Sequence, residues 1–153
     1  MNDTSSNAGR QVLVFLLADR LYGIEISCIN SIIYKDMMIT RVPNSPDYII
    51  GVINLRGDIV PIMDLAQKLG MKVSEETSET RIIIIEYEDI TMGFVIDKVN
   101  EVVDFGPEDI ENASSLNSEV GYALFTGVGK YKDNALAIFN VEQLVIQDQN
   151  IMG

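Results

Sequence analysis

This chain repeats itself. Tyr22-Gly23-Ile24-Glu25-Ile26, followed by Ile29-Asn30 and Ile32-Ile33, returns 70 residues later as Met92-Gly93-Phe94-Val95-Ile96, followed by Val99-Asn100 and Val102-Val103. Gly51-Val52 and Ile62-Met63-Asp64-Leu65 return at an offset of 76 as Gly127-Val128 and Ile138-Phe139-Asn140-Val141. Gln67 and Leu69 keep that second offset against Gln143 and Val145. Each copy reads as strand, turn, strand, crossover, hairpin and short helix. Two copies are too few for a solenoid, which needs about three or more. They suit two small barrels packed together. A copy of about 70 residues has a thin core, so each is expected to lean on the other. The division expected is a mobile tail over 1–10, a first half over 11–70, a linker over 71–79 and a second half over 80–146. An exchange of strands between the halves is left open.

Short runs rich in Val, Ile, Phe and Tyr, separated by turn residues, read as all-β. Val12–Leu17 and Leu21–Ile26 form strands about a tight turn at Ala18-Asp19-Arg20. Ile29, Ile32 and Ile33 recur at spacings that suit either a short helix or an irregular strand. Pro43 and Pro46 keep Arg41–Pro46 extended. Tyr48–Asn54 and Asp58–Met63 make a hairpin about Leu55-Arg56-Gly57, and Gly57 supplies the positive φ that its tip needs. Gly51 and Gly127 mark bulges or barrel corners. Leu65–Leu69 is a short helix capped by Asp64 and ended by Gly70. In the second copy, Arg81–Tyr87, Thr91–Ile96 and Lys98–Phe105 are extended, and Gly106–Gly121 is polar and turn-rich. Tyr122–Lys130 and Asn134–Phe139 form the second hairpin, before a helix over Val141–Val145 capped by Asn140.

What the chain lacks bounds its chemistry. It has no histidine, which removes the commonest general base and the commonest zinc ligand. Cys28 is its one cysteine, so no intrachain disulfide forms, and it reads as a small buried hydrophobe. The carboxylates Glu75-Glu76-Glu79, Glu86-Glu88-Asp89 and Glu108-Asp109-Glu111 fall in linkers, turns and strand edges, where solvation explains them. Asp58 and Asp64 lack the dense spacing of a calcium loop. No catalysis, cofactor or metal is expected. Against 23 acidic residues stand 11 basic ones, and the net charge of −12 disfavours nucleic acid and anionic membranes. The longest apolar runs fall well short of the ~20 residues that span a bilayer. Met1–Arg10 has neither the basic start nor the apolar middle of a signal peptide, so a cytoplasmic location without membrane insertion is expected. Two other readings are a small barrel that carries a ligand or nucleic acid, and an enzyme using carboxylates alone. The negative charge and the lack of Trp weigh against the first. The lack of a paired, buried acid weighs against the second.

Tyr48-Ile49-Ile50-Gly51-Val52-Ile53-Asn54-Leu55-Arg56-Gly57-Asp58-Ile59-Val60-Pro61-Ile62-Met63-Asp64-Leu65 strongly resembles CheW, the coupling-protein family of bacterial chemotaxis. Phe15 to Ile26, Arg41–Pro46, Gly93–Val99 and Leu124–Phe139 also resemble it, so the likeness covers roughly residues 11 to 146. It implies two pseudo-symmetric, SH3-like, five-stranded β-barrels with short connecting helices. It implies a bare adaptor rather than a larger relative carrying this module. The function implied is to bridge the cytoplasmic tip of a methyl-accepting chemoreceptor to the regulatory domain of the histidine kinase CheA, in arrays at the membrane. Carried over residue by residue, Ile29, Gly51, Arg56 and Val102 match receptor-binding positions. Ile39 and Val42 are expected at the kinase contact. Family members often carry Glu at the position of Ser31, as a partner for Arg56, and this chain does not.

Overall fold

A computed structural model describes residues 9–35 and 39–146. Its elements are β1 (Arg10–Leu17), β2 (Arg20–Glu25), β3 (Ile29–Tyr34), β4 (Ile49–Leu55), β5 (Asp58–Asp64), α1 (Leu65–Lys68), β6 (Arg81–Tyr87), β7 (Ile90–Ile96), β8 (Lys98–Phe105), β9 (Ile110–Glu111), α2 (Ser114–Val120), β10 (Phe125–Tyr131), β11 (Asn134–Phe139) and α3 (Val141–Ile146). They form two curled sheets in the orders β8-β1-β2-β11-β10-β9 and β3-β6-β7-β5-β4.

Neither sheet is built from one copy of the repeat. β8 of the second copy pairs with β1 of the first, and β3 of the first pairs with β6 of the second. The cause is local. After β2 the single 3₁₀ turn Ile26–Cys28 carries the chain from one sheet to the other, and after β7 Asp97 alone does the same. The pseudo-symmetry survives in detail. Gly93 lies opposite Ile62 in the parallel β5–β7 pair, and Gly23 lies opposite Ile138 in the parallel β11–β2 pair. A Cβ on Gly93 would come within 2.5 Å of Ile62, and one on Gly23 within 3.4 Å of Ile138. Both glycines let a barrel interior close against its own branched side chains. The helix caps repeat too: Asp64 accepts from the Gln67 amide at 3.0 Å, and Asn140 from the Gln143 amide at 3.3 Å.

Three apolar clusters hold this together. Val12, Val14, Phe105, Tyr131, Leu136 and Ile138 fill one barrel. Ile53, Val60, Ile62, Ile82, Ile84 and Val95 fill the other. The third lies between the sheets and has 21 buried residues against six in each barrel, so most of the core is shared by both. This explains why Val12–Phe15 and Ile82–Ile85 show no alternation. Val12, Val14, Ile82 and Ile84 face a barrel interior, while Leu13, Phe15, Ile83 and Ile85 face the shared core. At its centre Phe139 lies 5.0 Å from Phe125, 5.2 Å from Tyr22 and 6.1 Å from Phe15, between ring centroids.

Several expectations need adjustment. Residues 1–8 of the expected tail lie outside the described residues, and Arg10 already pairs with Phe105 as the start of β1. Of the two alternatives for Ile29 to Ile33, the structure takes the irregular strand, bulged between Ile29 and Ser31. The turn after β1 is Ala18-Asp19 alone, with φ of 52° and 68°, the two-residue geometry that matches strand twist. One sheet has a sixth strand, the two-residue β9. Thr40, bridged to Val52, holds the matching place in the other sheet. Ser114–Val120 is helical although its serines and asparagine favour turns. Leu116 packs this helix on the shared core, and Asn117 bonds both the amide and the carbonyl of Phe125 at 2.9 Å. Tyr122 to Leu124 precede the second hairpin rather than opening it.

Candidate functional site

β3 and β8 occupy equivalent edges of the two sheets. Ile33 points into its barrel, so Ile32 points the other way, beside Ile83 of the shared core. Val102 in the same manner lies beside Leu13 of that core. Ile29 and Val99 are half-buried against it. The shared apolar face thus continues along both strands and comes into the open at Ile32, 39% exposed, and Val102, 47% exposed. Tyr34 extends it on β3, with the Arg81 guanidinium 4.1 Å from its ring centroid. Exposed apolar surface of this kind marks interaction sites.

Arg56 sits at the tip of the β4–β5 hairpin. Its φ is 54° and that of Gly57 is 91°, and the Gly57 amide donates to Asn54 Oδ1 at 3.0 Å, which pins the turn. The side chain is exposed, and among the described residues no carboxylate lies within 4.0 Å of it. Ser31 donates to Asn30 Oδ1 at 3.0 Å rather than engaging Arg56. The parallel β5–β7 register brings this tip level with the turn at Glu88, and Ile29 pairs with Ile85 near the same end. Arg56 and Ile29 therefore share one end of the five-stranded sheet, and Val102 borders the same shared core from the other sheet.

Gly51 belongs to a different region. It is buried at a bulge in β4, where a Cβ would lie 2.2 Å from the Thr40 carbonyl oxygen and 2.8 Å from Ile39 Cγ2. Its role is to let the segment at Thr40 lie flat on β4, with two backbone bonds of 2.8 Å between Thr40 and Val52. Gly51→Ala is expected to cost at least about 1–3 kcal/mol, since the obstacle is backbone. Chemical denaturation measures this, and an unchanged midpoint would show that the strand accommodates the methyl. Ile39 and Val42 lie on that same segment. Ile39 is half-buried against the barrel core, and the Val42 carbonyl accepts from Ser45 Oγ at 2.8 Å. Thr40 faces Val52, four residues from Arg56, so the segment lies roughly 13 Å along β4 from the hairpin tip at ~3.3 Å per residue. The structure thus sets Ile29 and Val102 along the borders of the shared core, Arg56 at the hairpin tip at the Ile29 end of the five-stranded sheet, and Gly51, Ile39 and Val42 toward the other end of β4.

Tyr34, 61% exposed, and Ile59, 56% exposed, are further large apolar side chains on the surface that no motif in the sequence marks. Tyr34 alternates with Ile32 on one strand, so period 2 pointed to it once Ile32 was known to face outward. The thiol of Cys28 is pushed up in pKa, mainly by burial, which leaves it a poor nucleophile. Among the described residues no three His, Cys, Asp or Glu side chains converge to hold a metal. No helix among them is long and apolar enough to cross a membrane.

Residues 11–149 match the CheW-like domain family. The chain is 36% identical to the chemotaxis protein CheW of Bacillus subtilis, over 95% of this chain and 82% of that one. It is 33% identical to CheW of Helicobacter pylori, over 90% and 82%. The crystal structure of the scaffolding protein TtCheW from Thermoanaerobacter tengcongensis superposes with a TM-score of 0.78 at 32% identity, covering 86% of this chain and 89% of that one. Together with the paired barrels, these matches show that the chain belongs to the CheW-like family of chemotaxis scaffold proteins.

Proposed function

We propose that this chain is a non-enzymatic adaptor that couples a methyl-accepting chemoreceptor to the histidine kinase CheA. The receptor tip helix docks along the open apolar face, with Ile29 and Val102 as anchors and Arg56 at its end, while Gly51 keeps β4 in shape. A helix laid in a groove is held by anchors at i, i+3, i+4 and i+7, which suits two apolar strand edges flanking one core. The regulatory domain of the kinase meets the segment of Ile39 and Val42. Recruitment to receptor arrays at the membrane follows from the receptor contact and needs no membrane insertion, nucleic acid or cofactor.

The observation that carries this reading is the continuation of the shared core into the open at Ile32 and Val102. Arg56 tests it at small structural risk. Arg56→Ala removes an exposed side chain without an ion pair among the described residues, so stability stays within ~0.5 kcal/mol. Receptor-fragment affinity is expected to fall while the melting temperature holds. A lowered melting temperature with unchanged affinity would make Arg56 a structural residue and remove it from the site.

A further inference from the structure

The two copies close their barrels differently. At the seam of the six-stranded sheet the Tyr131 hydroxyl of β10 donates to Glu101 of β8, and Lys132 Nζ lies 3.2 Å from the same carboxylate oxygen. Lys132 also lies 5.3 Å from the Tyr131 ring centroid. The Tyr131 bond, with the Lys132 ammonium beside it, holds the Glu101 carboxyl below the usual range. The positions of Glu101, Tyr131 and Lys132 correspond by the repeat offsets to Ser31, Leu55 and Arg56. There Leu55 packs apolar against its barrel core, and Ser31 bonds Asn30 instead. The first copy shows that such a barrel closes without these bonds.

We propose that Glu101, Tyr131 and Lys132 form a clasp that positions Val102 for the docked receptor helix. This rests on the reading that the helix docks against Val102. β8 is an edge strand, paired only with β1, and its ladder is bulged between Val14 and Phe15, next to Glu101. Val103 and Phe105 pack in the barrel, and Glu101 falls on the same side of β8 by alternation and reaches Tyr131 at the seam, so Val102 faces the opposite way. Fixing the Glu101 side chain therefore fixes the roll of β8, and with it the direction of Val102. Tyr131 is 6% exposed, so its hydroxyl is held from within the barrel while Lys132 closes from outside.

Calorimetric binding to a receptor-tip fragment and, separately, to the kinase regulatory domain tests this. Tyr131→Phe is expected to weaken the receptor fragment about three- to tenfold, the range one hydrogen bond supplies, and to leave kinase affinity unchanged. In a Val102→Ala background the same change is expected to add no further loss, because the clasp acts through Val102. Glu101→Gln, which can still accept from Tyr131, is expected to retain more affinity than Glu101→Ala. Unchanged receptor affinity in Tyr131→Phe, equal loss of both partners, or additive losses with Val102→Ala would each overturn the clasp. If Val102→Asp itself left receptor binding intact, the docking reading would fail instead, and the two failures are told apart by that variant.

Discussion

Phe15→Ala is expected to cost about 3–5 kcal/mol and to lower the stability of both barrels at once. Phe15 is 1% exposed and lies in the aromatic group with Tyr22 and Phe139. That group sits in the shared core, not in either barrel interior. Each barrel interior has only six buried residues of its own, too few for independent stability in units of this size. Exchanged β3 and β8 also tie the sheets together covalently and by ladder. Urea unfolding followed by far-ultraviolet circular dichroism and by tyrosine fluorescence checks the outcome. Both probes should show one transition, shifted together in the variant. Two separated transitions would mean that the barrels are independent domains.

The second large effect is on binding. Val102→Asp places a carboxylate on the open apolar face beside Leu13. Val102 is half-exposed, so the fold tolerates the change better than it would in the core. A charge desolvated under a docked helix is costly, and loss of a central anchor is typically worth ~2 kcal/mol or more, about thirtyfold in affinity. Receptor binding should fall by at least this much while kinase binding holds. Val42→Asp should do the reverse. Ile39 is a poorer probe, because its half-buried packing on the barrel core mixes stability with binding. Surface plasmon resonance against each partner fragment reads both. Loss of both bindings in either folded variant would contradict separate surfaces.

Much of this was legible in the sequence because the determinants are local. Paired glycines, hairpin turns and helix caps each carry their own signature, and the offsets of 70 and 76 aligned Gly23 with Gly93 and Asp64 with Asn140. Strand exchange was not legible. It depends on which sheet β3 joins after Ile26–Cys28, which is decided by tertiary pairing with β6 rather than by the residues of the turn. Helix α2 was hidden because Asn117 and Leu116 secure it through tertiary contacts that composition does not reveal. At the site, Arg56 and Val102 were reached by resemblance, and their surroundings were not. Whether Ile32 faces inward or outward turns on the bulge after Ile29, since one residue of slip reverses every side chain. The Glu101 clasp escaped notice because its members lie 30 residues apart and join only across a barrel seam.

Receptor and kinase are expected to occupy this chain at once. Its accessible surface of 8889 Å² leaves room for two standard patches of ~800 Å² each. The direct measurement is the affinity of a receptor-tip fragment for this protein, alone and saturated with the kinase regulatory domain, with complex mass read by analytical ultracentrifugation. A ternary complex is expected, with a receptor Kd unchanged within about twofold, since separate surfaces do not compete. Displacement of the receptor fragment by the kinase domain, with binary complexes only, would contradict it.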